Sequence, residues 1–247
     1  MTCMNIVQHR LTHFSLSSIE LGTPGTVEYD WGRELLKWVA VVSMTIDHVG
    51  LIFFPEYIIF RVIGRLAFPL FAYLLVLGMK STHNIKGYFN RLIFFAIISQ
   101  IPYSLANEIQ PWAKLNIFFT LILSLIMIHL IERGGITFIM PLIASGIIPM
   151  DYGVYGTTTV LLFYILGKDW KIGASIFVLI NFLIAIFDVG YQPFAVVALP
   201  LILLHDWGKL KISRVKREGK HPQFRKYFFY AYYPLHLMIL EAIKILI

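Results

Sequence analysis

The chain has 247 residues, 58% of them hydrophobic and 14% charged, with a mean hydropathy of +0.73. A soluble domain carries roughly 45–50% apolar and about 25% charged residues, so an ordinary soluble globular protein is excluded. The formal charge of +7 reflects 21 Lys+Arg against 14 Asp+Glu. Eight of the cations crowd one stretch: Lys209, Lys211, Arg214, Lys216, Arg217, Lys220, Arg225 and Lys226. A basic run beside an apolar segment reads as a cytoplasmic retention signal and anionic-lipid contact. Membrane lipids, and no nucleic acid, are the expected partners of that charge. The single cysteine, Cys3, cannot form an internal disulfide.

Residues 1–30 read as a polar tail, without the basic segment followed by an apolar core that a cleaved signal peptide needs. Beyond it, apolar windows bounded by turn signals predict helices near 35–55, 58–79, 90–107, 113–131, 136–150, 153–167, 172–187, 190–205 and 227–247. The expected fold class is an all-α polytopic membrane protein of about nine transmembrane helices. It forms one helical domain over 31–247, with a basic cytoplasmic loop at 206–226. The fifth and sixth segments are short for a ~30 Å hydrocarbon core and read as tilted, re-entrant or one mis-split unit. With the N-terminus in the cytoplasm, alternate loops collect seventeen of the 21 cations, leaving Arg61, Arg65, Lys114 and Lys244 on the other side. The positive-inside rule therefore selects a cytoplasmic N-terminus and a multi-pass protein of the cell's inner membrane.

Charged groups inside apolar spans are costly and need partners. Asp47 and His48 interrupt the first span, Arg61 and Arg65 lie at i, i+4 early in the second, and His236 lies in the last. Gln100 and Asn116 flank one outer turn; Asp151, Asp188 and Gln192 follow at later ones. Asp47 and Arg65 stand nine residues either side of Glu56, and Gln100 and Asn116 eight either side of Glu108. At about 1.5 Å rise per residue the members of each pair share a depth, so a polar layer forms below the outer surface. Asp47 and Arg65 are the expected ion pair, either stapling two helices or serving chemistry. Gln100 and Asn116 suit interhelical hydrogen bonds or substrate contact. His48 suits proton transfer near neutral pH. Neighbours on a helix do not face each other, so some group other than Asp47 must orient its ring. Asp151 belongs to a Pro-Met-Asp-Tyr-Gly turn, and His236 follows Pro234, which frees backbone groups in the last helix.

The chain contains no Walker loop, GxGxxG, HExxH, CxxC or GxSxG signal. Its eight histidines lack ligand spacing, so no metal is expected. Six pieces in order, LLKWVAVVSMTIDHVGLIFFP, FRVIGRLAFPLFAYLL, NRLIFFAIISQIPYSLA, LNIFFTLIL, DYGVYG and YYPLHLMIL, resemble the TraX family of membrane proteins. The resemblance implies an integral-membrane acetyltransferase of the kind that acetylates conjugative pilin, with acetyl-CoA as donor. It marks Asp47, His48, Arg61, Arg65, Gln100, Asn116, Asp151 and His236 as the motif positions. Two functions follow as expectations. In the first, an acyl group passes from acyl-CoA to an amine or hydroxyl of a peptide, glycan or lipid. His48 is then the base, Asp47 and Arg65 complete the catalytic group, and Arg61, Gln100, Asn116, Asp151 and His236 contact donor or acceptor. In the second, Asp47, Arg65 and His48 form a transporter's titrating relay.

Overall fold

Capping side chains decide where three of the longest helices begin. Asp30 accepts a bond from the Arg33 amide (2.9 Å) and opens α1, Trp31–Phe53. Asn84 accepts from the Gly87 amide (2.7 Å) and opens α4, Ile85–Ala106. Asn116 accepts from the Phe118 amide (3.0 Å) and opens α5, Ile117–Glu132. In each case the cap satisfies an amide that the helix itself cannot. The others are α2, Ile58–Gly64; α3, Ala67–Ser81; α6, Ile139–Ile147; α7, Gly153–Leu166; α8, Trp170–Phe187; α9, Ala198–Asp206; and α10, Gln223–Leu246. The computed structural model describes residues 26–27, 30–187, 190–210, 215–216 and 223–246. Cys3, Asp188 and most of the basic loop therefore lie outside the described residues.

All nine expected segments have helical counterparts among the described residues, with three adjustments. The segment predicted at 58–79 breaks between α2 and α3, because the Arg65 amide is shared between the Arg61 and Val62 carbonyls and tightens the turn. The segments predicted at 136–150 and 190–205 each begin as a 3-10 helix, Ile136–Phe138 and Gln192–Val197. A 3-10 helix rises about 2.0 Å per residue, so these short segments reach further than their length suggests. The only strand pairing among the described residues joins Thr26–Val27 to Val215–Lys216.

Successive helices alternate between two ends of a bundle. At one end Arg33 donates to Ser81 (3.1 Å), His205 meets Asp30 (3.1 Å), and the Trp170 and Trp207 rings cross edge-on. At the other Asp47 meets Arg61 (2.8 Å), Lys114 meets Asp151 (3.4 Å) and Lys244 meets Glu108 (2.6 Å). Leu36, Leu70, Tyr73, Phe163, Phe177 and Leu237 fill the interior. The outside is equally apolar, as in the α4 stripe of Phe94, Ile97, Ile98, Ile101 and Leu105. Water would penalise that stripe, whereas lipid accepts it. Three helical stretches are long and apolar enough to cross a membrane, Trp31–Phe53, Ile58–Ser81 and Ile85–Ala106, and five shorter apolar helices accompany them. The chain is a multi-pass membrane protein. Lipid is as apolar as the core, so close packing holds such helices together. A side chain on Gly64 would strike Asp47 and one on Gly173 would strike the α8-facing backbone at Leu166, which requires glycine at both contacts.

Candidate active site between the first and last helices

His48 on α1 and His236 on α10 meet directly, His236 Nε2 lying 2.8 Å from His48 Nδ1. His236 Nδ1 lies 2.8 Å from the Tyr232 carbonyl oxygen. A carbonyl only accepts, so that nitrogen carries the proton. In the neutral pair His236 Nε2 must then accept from His48 Nδ1–H, which leaves His48 Nε2 as the unprotonated nitrogen. The Met44 carbonyl, four residues back on α1 as Tyr232 is on α10, also lies within hydrogen-bond reach of the His48 ring, and no hydrogen bond to Nε2 itself is seen among the described residues. His236 is thus the group that orients His48, and Asp47 points elsewhere, as neighbouring helix positions require. A second bond fixes the two helices in register. Thr45 donates to the Val41 carbonyl (2.8 Å), so the Tyr232 hydroxyl, 2.8 Å away, donates to Thr45.

Asp47 faces α2. The equal-depth reasoning places it beside Arg65, and the two are 3.8 Å apart, but the tighter partner is Arg61, at 2.8 Å. The reason is the break after Gly64, which turns Arg65 toward Gln192 Oε1 (3.2 Å) and over the Tyr191 ring (5.1 Å). One carboxylate therefore holds two guanidinium groups, and its Oδ1 is buried without a hydrogen bond. Gln192 in turn donates to Asn181 (3.3 Å), which also accepts from the Tyr155 hydroxyl (3.0 Å). Asn181 is fully buried. The sequence reading passed over it as part of an apolar run, although an amide inside SIFVLINFLIAIF is itself the signal.

Gln100 and Asn116 are bonded to each other and are completely enclosed. Gln100 Oε1 accepts from the Asn116 amide (3.1 Å) and from Asn116 Nδ2 (2.9 Å), while Gln100 Nε2 donates to the Lys114 carbonyl (2.8 Å). Asn116 Nδ2 also donates to the Ala96 carbonyl (2.7 Å). Asp151 lies at the same end, paired with Lys114, its amide bonded to the Leu115 carbonyl and its carbonyl taking the Thr120 hydroxyl. The next residue, Tyr152, has φ 60°, a left-handed conformation rare outside glycine, and its ring stacks on Phe68 at 4.1 Å.

The opposite end holds a polar cluster that the sequence reading did not single out. His205 Nε2 meets Asp30, Tyr73 lies 3.0 Å from His205 Nδ1, and the Tyr73 hydroxyl donates weakly to Asp206 (3.5 Å). Burial pushes the Asp30 carboxyl up, but its bonds to His205 and the Arg33 amide outweigh that and hold it at about 2.

Between α1, α3, α4, α5 and α10 lies a cavity of 370 Å³. Arg33, Lys37 and Arg91 line it toward the Asp30 end; Met44, Phe118 and Tyr233 line it deeper in. Met44 is one helical turn before His48, on the same face of α1. The Tyr233 ring lies 6.3 Å from that of His48 and 5.8 Å from that of His236. The cavity thus runs from three cations at one end of the bundle to Met44 and Tyr233, which stand next to the histidine pair without the histidines themselves lining it.

The family model described as TraX protein matches residues 32–244, which takes in every residue of this site. The chain belongs to the TraX family. A probable fimbrial assembly protein, FimC of serogroup H1, from Dichelobacter nodosus is 28% identical over 246 residues, covering 87% of this chain and 96% of that protein. Protein TraX of Escherichia coli is 40% identical over 88 residues, 35% of each chain. An uncharacterized protein of Rickettsia prowazekii is 42% identical over 69 residues, 28% of this chain and 26% of its own. No solved structure matches this TraX family member.

Proposed function

We propose that this protein is a membrane-embedded acyltransferase that moves an acetyl or other short acyl group from acyl-CoA to an amine or hydroxyl acceptor. The cavity carries the reading, because it runs from a basic mouth to Met44 and Tyr233, and the Tyr233 ring separates its deep end from the buried His48–His236 pair. His48 Nε2 takes the proton of the acceptor as its nitrogen or oxygen attacks the thioester carbonyl. The Arg65 and Arg61 guanidiniums, held by Asp47, stabilise the oxyanion that develops. The carbon–sulfur bond then breaks, and the CoA sulfur leaves with the proton that His48 collected. His236 keeps the base in its working tautomer. Gln100 and Asn116, with their bonds used internally, hold the frame of the site, and Asp151 with Lys114 lines its outer rim.

In this reading the N-terminus and the Arg33, Lys37 and Arg91 end face the cytoplasm, the side on which CoA is found, and the bundle sits in the inner membrane as one domain. The acceptor, a peptide, glycan or lipid, reaches the polar layer from the outer half. The fimbrial-assembly name of the relative aligned over nearly its whole length favours a protein acceptor. Purified protein incubated with labelled acetyl-CoA should release CoA slowly even without an acceptor, and His48→Ala should abolish that release. A transporter using Asp47, Arg65 and His48 as an ion relay would leave the thioester intact.

A further inference from the structure

Among the described residues, the mouth of the cavity carries three cations and few acids. Arg33, Lys37 and Arg91 line it, and the acid bound to them through a side chain is Glu34, 2.7 Å from Lys37. Arg33 spends one guanidinium nitrogen on the Ser81 hydroxyl, itself a lining residue. The Arg33 and Arg91 Nε atoms are both buried with no hydrogen-bond partner. A buried donor left without an acceptor costs free energy; Arg91 also bonds the Tyr230 hydroxyl and lies over the Tyr88 ring, so each guanidinium is held in place by neutral partners and keeps one N–H unmatched, a cationic pair at one opening that an anion complements. Guanidinium forks suit the tetrahedral oxygens of phosphate better than a single charge does.

The rest of the cavity says what is attached to that anion. From Arg33 to Met44 is eleven residues of α1, about 16 Å along the axis. Over that length the wall turns apolar, with Leu75, Leu92 and Leu121 leading to Phe118 and Tyr233. A ligand that fits has phosphate at one end and a slender, mostly uncharged arm that ends near His48.

Resting on the acyltransferase reading, we infer that Arg33, Lys37 and Arg91 form a phosphate-binding mouth for the donor, with the pantetheine arm of CoA lying along the cavity. A phospholipid shares this chemistry, an anionic phosphate on a narrow apolar tail, and is the other source of such a ligand. Arg61 and Arg65, at the far end of the bundle, are then left free for the oxyanion and do not hold the donor's phosphates.

Equilibrium binding to the purified full chain in nanodiscs tests this. CoA should bind wild-type protein, and Arg91→Ala should weaken it by about 10- to 100-fold, the scale of a lost charge-assisted hydrogen bond. Arg91→Lys should retain part of the affinity, and Lys244→Ala, which removes an exposed cation at the other end of the bundle, all of it. CoA lacking its 3′-phosphate should bind wild-type protein less tightly, and the difference should shrink in Arg33→Ala, Arg91→Ala or both. Native mass spectrometry separates the two sources: arginine-dependent retention of a phospholipid in place of CoA keeps the anion mouth and assigns it to lipid. Equal CoA and phospholipid occupancy in wild type and a folded Arg33→Ala/Arg91→Ala variant overturns the proposal. Arginine-dependent CoA binding with no thioester turnover leaves the mouth standing and overturns the acyltransferase reading instead.

Discussion

Two buried polar pairs bridge helices in the half of the bundle that holds Asp47 and Asp151, and they differ in how completely their hydrogen-bonding capacity is used. Gln100 and Asn116 exhaust theirs: the Asn116 side chain caps α5, donates to the Ala96 carbonyl and shares Gln100, whose amide nitrogen is spent on the Lys114 carbonyl. His48 and His236 do not, because the chain of donors that starts at the Tyr232 carbonyl ends on a bare His48 nitrogen. Asp47, with a buried oxygen that no donor reaches, resembles the histidines in this respect. A saturated network stabilises and specifies, whereas an unsaturated one in the same interior holds reactivity that the fold must pay for elsewhere.

The largest expected effect breaks the unsaturated pair. His48→Ala should lower acyl transfer by about 10²–10⁴-fold, the usual worth of a positioned base, with a loss of only about 1–3 kcal/mol of stability, since His236 Nε2 loses its donor but no charge is stranded. Next comes the ion cluster. Arg61→Ala should cost more stability than Arg65→Ala, up to about 3–5 kcal/mol for a buried pair that loses one partner, because Asp47 lies 2.8 Å from Arg61 and 3.8 Å from Arg65. Adding Asp47→Asn to Arg61→Ala should restore folding, measured by thermal unfolding in detergent, without restoring turnover. Equal losses for the two arginines would show that the carboxylate does not discriminate between them.

The saturated pair should behave in the opposite way. Asn116→Ala removes a helix cap and strands Gln100, a loss of about 2–3 kcal/mol, while turnover per folded molecule should stay near wild type. The smallest effect belongs to the far end. Asp30, held at about 2 against an ordinary 3.8, binds its proton less readily in the folded state. Its contribution is therefore present above pH 3.8 and is lost as the pH falls toward 2. Asp30→Asn should flatten that acid limb of the unfolding curve and leave stability at higher pH lowered by a constant amount. An unchanged acid limb would mean that Asp30 is not ionised against His205.

Much of this was legible in the sequence because bilayer physics leaves few options. Apolar length and turn residues located all nine helical segments, and equal depth brought Asp47 toward the Arg61 and Arg65 turn. Depth alone chose Arg65, the looser of the two partners, because the tighter contact with Arg61 depends on the break after Gly64 that redirects Arg65. The spacing argument excluded Asp47 as the partner of His48, yet it had no means of naming His236, 188 residues away. Asn181 was missed because one amide in an apolar run was weighed with its neighbours. The Asp30–His205–Tyr73 cluster was missed for a different reason. Two of its members stand at helix ends, where polar residues are ordinary, and the contacts that join them are purely tertiary.

The central claim is that His236 holds His48 with its proton on Nδ1 and leaves Nε2 bare. Nitrogen-15 NMR of histidine-labelled protein at neutral to alkaline pH, with His48→Gln used to assign the signals, tests it directly. The account predicts an unprotonated Nε2 at His48 that shifts toward the Nε2–H position in His236→Ala and returns in His236→Gln, whose amide oxygen can accept the Nδ1–H bond. A His48 ring in wild-type protein that carries its proton on Nε2 would contradict it.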